Sequence, residues 1–106
     1  MTPEDILEKG AEALAEHGHV KGTYGMPGYG FCALGSMRHV THGSSLIPLH
    51  SPDYNAYQEA VQRLEDEVEA DGWERREGWD LIPGFNDDPR TTLEDVRLMM
   101  KRAAGR

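Results

Sequence analysis

Two stretches gather side chains able to do chemistry. In "FNDDPR", residues 85–90, an amide (Asn86), two carboxylates (Asp87 and Asp88) and a guanidinium (Arg90) fall within five consecutive positions. There Asp87 is of the type that serves as a general base or metal ligand, and Arg90 of the type that clamps an anion. In "FCALGSMRHVTH", residues 31–42, a turn of 100° per residue puts Leu34, Met37, Val40 and Thr41 on one side of a helix and Cys32, Gly35, Ser36 and His39 roughly opposite. Cys32 with His39 is half of a thiol nucleophile or of a zinc site, and His39 with His42 could touch one ion.

Each stretch also has a plainer reading. Residues seven apart on a helix have Cα atoms about 10 Å apart, too far for Cys32 and His39 to share a proton or an ion without a third group. Cys32, Gly35 and Ser36 are small, and a ridge of small residues lets another element pack closely. Cys32, His39 and His42 therefore stand as weak metal candidates; His17, His19 and His50 add no convergent set, and no catalytic residue or cofactor is assigned. In the first stretch, Pro83-Gly84 and Asp88-Pro89 are turn formers, and Asn86 and Asp87 have short side chains that bond back to the backbone. That reads as a tight turn into the last helix, with Asn86, Asp87 and Arg90 kept as candidate contact residues.

The elements that must position these groups follow from local signals. Thr2-Pro3-Glu4-Asp5 opens a helix to about Glu16, with Gly18 as its stop and Ile6, Leu7, Ala11 and Leu14 as its core stripe. "HVKGTYGMPGYG", residues 19–30, predicts a hairpin; its glycines lack the Gly-Lys-Ser/Thr ending of a phosphate loop. After the helix of residues 31–42 and a loop "GSSLIPLH", Ser51-Pro52-Asp53 opens a third helix with Tyr54, Tyr57, Val61, Leu64 and Val68 inward. "DGWERREGWD" ends it and carries Trp73 and Trp79, read as capping the core ahead of an exposed contact patch. The last helix begins at Thr91, boxed with Glu94, or at Thr92, boxed with Asp95, and turns Leu93, Val96, Met99, Met100 and Ala103 inward. The expected fold is mainly α with a small β-hairpin (α+β), about four helices around one core.

At 106 residues the chain fits one domain. Eleven Lys and Arg against nineteen Asp and Glu leave a formal charge of −8, which argues against direct nucleic-acid binding and against an anionic membrane surface. A partner with a neutral or basic surface fits better, and a dimer is within reach. The single cysteine excludes an internal disulfide framework and points to a reducing compartment. No stretch approaches the roughly 18 apolar residues of a membrane span, and the start is acidic where a signal peptide is basic. The expectation is cytoplasmic. The acids Glu65, Asp66, Glu67, Glu69 and Asp71 read as a solvated helix face, with imitation of a phosphate backbone as the sharper alternative.

"CALGS" at 32–36 and "FNDDPRTTLEDV" at 85–96, with the Gly18-to-Gly22 segment ahead of the hairpin, resemble a family of small domains of unknown function from actinobacteria and their bacteriophages. Cys32, Leu34, Gly35, Phe85, Asn86, Asp87, Thr92 and Val96 stand where that pattern places them. Arg90 and His19 depart from it, since the family's arginine precedes the capping threonine and an aromatic follows the first glycine. The resemblance implies a fold and an origin and supplies no activity. The expected function is a non-catalytic interaction module acting on a host or phage protein. The alternatives are a small metal- or ligand-binding protein or enzyme using Cys32, His39 and Asp87, and a sensing module with a pocket between the tryptophans.

Overall fold

The computed structural model describes residues 1–43, 52–75 and 80–105. Helix α1 (Pro3–His17) begins where Thr2 closes a capping box: its hydroxyl accepts the Asp5 N–H at 3.1 Å and the Asp5 carboxylate accepts the Thr2 N–H at 3.4 Å. It ends at Gly18, whose φ of 98° suits a residue without Cβ. Ile6, Leu7, Ala11 and Leu14 are fully buried, and α1 is the hub on which α5, α2 and α3 pack. At Gly10 α5 and α2 approach closely, since an added Cβ would lie 2.7 Å from Met100 Cε and 3.3 Å from Met37 Cγ.

Strands β1 (Gly25–Met26) and β2 (Gly30–Phe31) pair antiparallel, Gly25 opposite Phe31 and Met26 opposite Gly30. Phe31 also bridges His19 in parallel, so that the Val20 N–H donates to Phe31 O at 3.0 Å and the Phe31 N–H to Gly18 O at 2.9 Å. This ladder fastens the hairpin to the exit of α1. Helices α2 (Ala33–His42), α3 (Pro52–Ala70), α4 (Leu81–Asp87) and α5 (Leu93–Ala104) follow. The fold is mainly α with one hairpin, as expected, with five helices among the described residues where about four were expected.

The additional helix, α4, corrects the turn expected at Pro83-Gly84. Pro83 is its third residue, where a backbone N–H would lack an intrahelical acceptor, so the ring costs no hydrogen bond there. Leu81, Ile82, Phe85 and Asn86 make a buried face at helical spacing, which outweighs the local preference for a turn. The turn lies further on, where the Thr91 N–H donates to Asp88 O at 3.0 Å.

The inward side of α2 also differs from the expected stripe. Met37 and Thr41 are buried but Leu34 and Val40 are half-buried, and Ala33, Gly35 and Ser36 fill the inner side instead. The hairpin sets this choice: a Cβ on Gly35 would stand 1.8 Å from Tyr24 O, so only glycine lets that strand lie against the helix. In α3 the buried seam is Tyr57, Ala60, Leu64 and Val68, with Tyr54 and Val61 half-buried. Residues 44–51, which include His50 and Ser51, lie outside the described residues. At α5 the cap is Thr92, boxed with Asp95 (3.1 and 2.9 Å), and Val96, Met99, Met100 and Ala103 are buried. Among the described residues no helix is long and apolar enough to cross a membrane.

Candidate functional site

Asn86 is the joint where three elements meet. Its Oδ1 accepts the Ala33 N–H at 3.0 Å and lies 2.7 Å from His19 Nε2; its Nδ2 donates to Val20 O at 3.1 Å and to Asp87 Oδ1 at 2.9 Å. All four hydrogen-bonding positions of the amide are in use, and the side chain is buried. Asp87 extends the joint, its Oδ1 also accepting the Gly22 N–H at 2.9 Å. The two side chains were expected to bond back within their own turn; the backbone they hold is instead that of the distant 19–22 segment and the start of α2.

Beside this joint a pocket of about 400 Å³ opens between the 22–24 loop, the start of α2 and α4. Tyr24, Cys32, Leu34, Ile82, Pro83 and Asp87 are among its walls. Cys32 is the N-cap of α2, its sulfur accepting the Gly35 N–H at 3.3 Å. Burial pushes its thiol up; hydrogen bonds from the Gly35 and Leu34 N–H groups work the other way, and the Asp87 carboxylate adds to the rise. A thiol held protonated is a poor nucleophile and a poor metal ligand.

Among the described residues no hydrogen bond joins Cys32 to His39. The ring stacks on Phe31 with centroids 4.8 Å apart and meets the edge of His17 at 5.5 Å, while His42 is exposed. Neither contact is with Cys32, so the pairing of Cys32 with His39 gains no support among the described residues. Among the described residues no three His, Cys, Asp or Glu side chains converge so as to hold a metal ion.

Arg90 turns back on its own chain, Nε and Nη2 donating to the two Asp88 oxygens at 3.0 and 3.1 Å, with its guanidinium 5.7 Å from the Trp73 ring. Trp73 is half-buried, its ring 5.2 Å from Phe85, and it lines a groove of about 850 Å³ with Leu98 and Thr91. Trp79 lies outside the described residues. Of the acids on and just after α3, Glu65 pairs with Arg75 (3.5 Å), Asp71 with Arg102 (3.4 Å), and Asp66 accepts from Gln62 (3.0 Å); Glu69 is exposed and Glu67 half-buried.

One group escaped the sequence reading. Tyr24, Met26 and Tyr29 are 43, 61 and 80% exposed, all on the hairpin. The hairpin is held in place from two sides: His17 Nδ1 accepts the Gly28 N–H at 3.1 Å, and the Arg38 guanidinium lies 4.2 Å from the centre of the Tyr24 ring. The alternation of Tyr, Met and Tyr among glycines was the available signal, but only the fold shows that all three stay exposed. The model of a family of unknown function (DUF6197) matches residues 1–106. Neither a curated protein nor a solved structure matches the chain.

Proposed function

The chain belongs to that family, DUF6197, and we propose that it is a non-catalytic interaction module contacting another protein through its hairpin. The observation that carries this is the exposed set Tyr24, Met26 and Tyr29, three large apolar side chains within six consecutive residues. Tyr, Met and Arg are the side chains that protein interfaces favour, and Arg38 stands over Tyr24. Because Asn86, Asp87 and His17 already hold the hairpin, binding would require little further ordering. The partner is a host or phage protein in the cytoplasm with a neutral or basic surface, in keeping with the charge of −8.

Catalysis by Cys32 has less support, since burial keeps the thiol protonated and His39 is stacked on Phe31. Imitation of a nucleic acid by α3 also has less support, because Glu65 and Asp71 are paired with arginines.

The test is affinity capture from nuclease-treated actinobacterial lysate. Wild type is compared with Met26→Ser/Tyr29→Ser and with an α3 carrying Asp66→Asn, Glu67→Gln and Glu69→Gln. A protein retained by wild type and by the α3 variant, and lost with the hairpin variant, is the expected result. Loss with the α3 variant and at high salt would replace the hairpin by the acidic face. No partner above background would end the interaction reading.

A further inference from the structure

We propose that the pocket between the 22–24 loop, the start of α2 and α4 receives a lysine side chain of the protein partner, with Asp87 as its counter-charge. The inference rests on the hairpin reading and names the chemistry of its anchor. At about 400 Å³ the pocket falls in the range of sites that take small organic groups. Leu34, Ile82 and Pro83 supply apolar walls for a methylene stem.

Asp87 supplies the charge. Its Oδ1 is occupied by the Gly22 N–H and Asn86 Nδ2, while Oδ2 has no protein hydrogen bond and the carboxylate no ion pair among the described residues. A single available oxygen suits the compact ammonium of lysine, whereas the guanidinium of arginine is best met by two. The cations nearby are engaged elsewhere: the Lys21 ammonium donates to Asp88 O, and Arg38 Nε donates to the Tyr57 hydroxyl at 2.9 Å. An anion is disfavoured although α2 starts here. Asn86 takes the Ala33 N–H and Cys32 the Gly35 N–H, so these two donors of the helix start are spent, and the Asp87 carboxylate would repel a negative group.

Position links the pocket to the contact face. Tyr24 is both a wall of the pocket and part of the exposed hairpin set, so a partner lying on Met26 and Tyr29 brings its side chains to the mouth. Asp87 also borders the larger groove at Trp73, but that groove brings three guanidinium groups of its own. Its Arg75, Arg90 and Arg102 are each matched to an acid, Glu65, Asp88 and Asp71 respectively.

The experiment titrates the isolated, isotope-labelled chain with N-acetyl-lysine N-methylamide and follows backbone amide shifts. The uncharged norleucine analogue is the control. Saturable shifts confined to Gly22, Tyr24, Cys32, Asp87 and their neighbours are expected, with slower alkylation of Cys32 by iodoacetamide while the probe is bound. Asp87→Asn keeps Oδ1 as acceptor for both N–H groups but removes the charge. It should weaken the probe about tenfold, the loss expected for a charge-assisted hydrogen bond. Equal binding of the norleucine analogue, no saturable shift at these residues, or unchanged affinity in Asp87→Asn would each overturn the proposal. No partner enters this experiment, so its failure leaves the hairpin capture standing, and failure of the capture leaves the pocket result standing.

Discussion

Asn86 Oδ1 lies 2.7 Å from His19 Nε2, across 67 positions of sequence. The amide orientation is set by its other partners, since the Ala33 N–H can only donate and Val20 O can only accept. His19 must therefore donate from Nε2. Removing the amide leaves the buried Ala33 N–H and the half-buried Val20 O without this partner, at up to about 1–3 kcal/mol for each group. Asn86→Ala is expected to lose roughly 2–4 kcal/mol in urea unfolding. Asn86→Asp should lose a similar amount, because a carboxylate oxygen would then face Val20 O. Asp87→Asn, which keeps the acceptor, should stay within about 0.5 kcal/mol of wild type. An Asn86→Ala protein as stable as wild type would show that the joint does not hold the hairpin.

Gly35 and Gly84 provide an opposed pair. A Cβ at Gly35 would overlap Tyr24 O at 1.8 Å, whereas one at Gly84 meets nothing within 4 Å. Gly35→Ala must push the hairpin off α2, and a loss above roughly 2 kcal/mol with shifted Tyr24 and Cys32 resonances is expected. Gly84→Ala replaces a flexible helical residue and should gain about 0.5–1 kcal/mol. Thermal melts of the two variants should move in opposite directions.

Burial raises both the Cys32 thiol and the Tyr57 hydroxyl above their ordinary values of 9.0 and 10.0. The folded chain thus holds these protons to higher pH than the unfolded chain does. The resulting stabilisation is full below the unfolded values and is lost as pH rises from them through the raised folded values. Melting temperature should decline from about pH 9 upward. In Cys32→Ala the decline should begin later, and in Tyr57→Phe its upper part should flatten. Identical alkaline profiles in all three proteins would contradict the burial argument.

What was legible in the sequence was local. The Thr2 and Thr92 caps, the α1 stripe and the hairpin each rest on residues a few positions apart. The joint was not legible, because Asn86 reaches partners 53 to 67 positions away and in the chain resembles a turn residue. Its helix hid for a related reason: Pro83-Gly84 is a breaker pair by propensity, and only the burial of Ile82 and Phe85 overrides it. His39 could be placed on a helix face but not on Phe31, since ring stacking depends on where the hairpin folds back.

Thr91 and Thr92 offered two registers for the start of α5, and the geometry separates them. The Thr92 hydroxyl accepts the Asp95 N–H, while Thr91 Oγ1 is buried without a hydrogen-bond partner among the described residues. A capping hydroxyl is worth about 1 kcal/mol, so Thr92→Ala should lose that much. A buried hydroxyl without a partner opposes folding, so the isosteric Thr91→Val should be neutral or gain up to about 1 kcal/mol. If Thr91→Val proved the more damaging of the two, the helix would start one residue earlier than described. Glu94 would then be the residue closing the box, and a Glu94→Ala variant would share the loss.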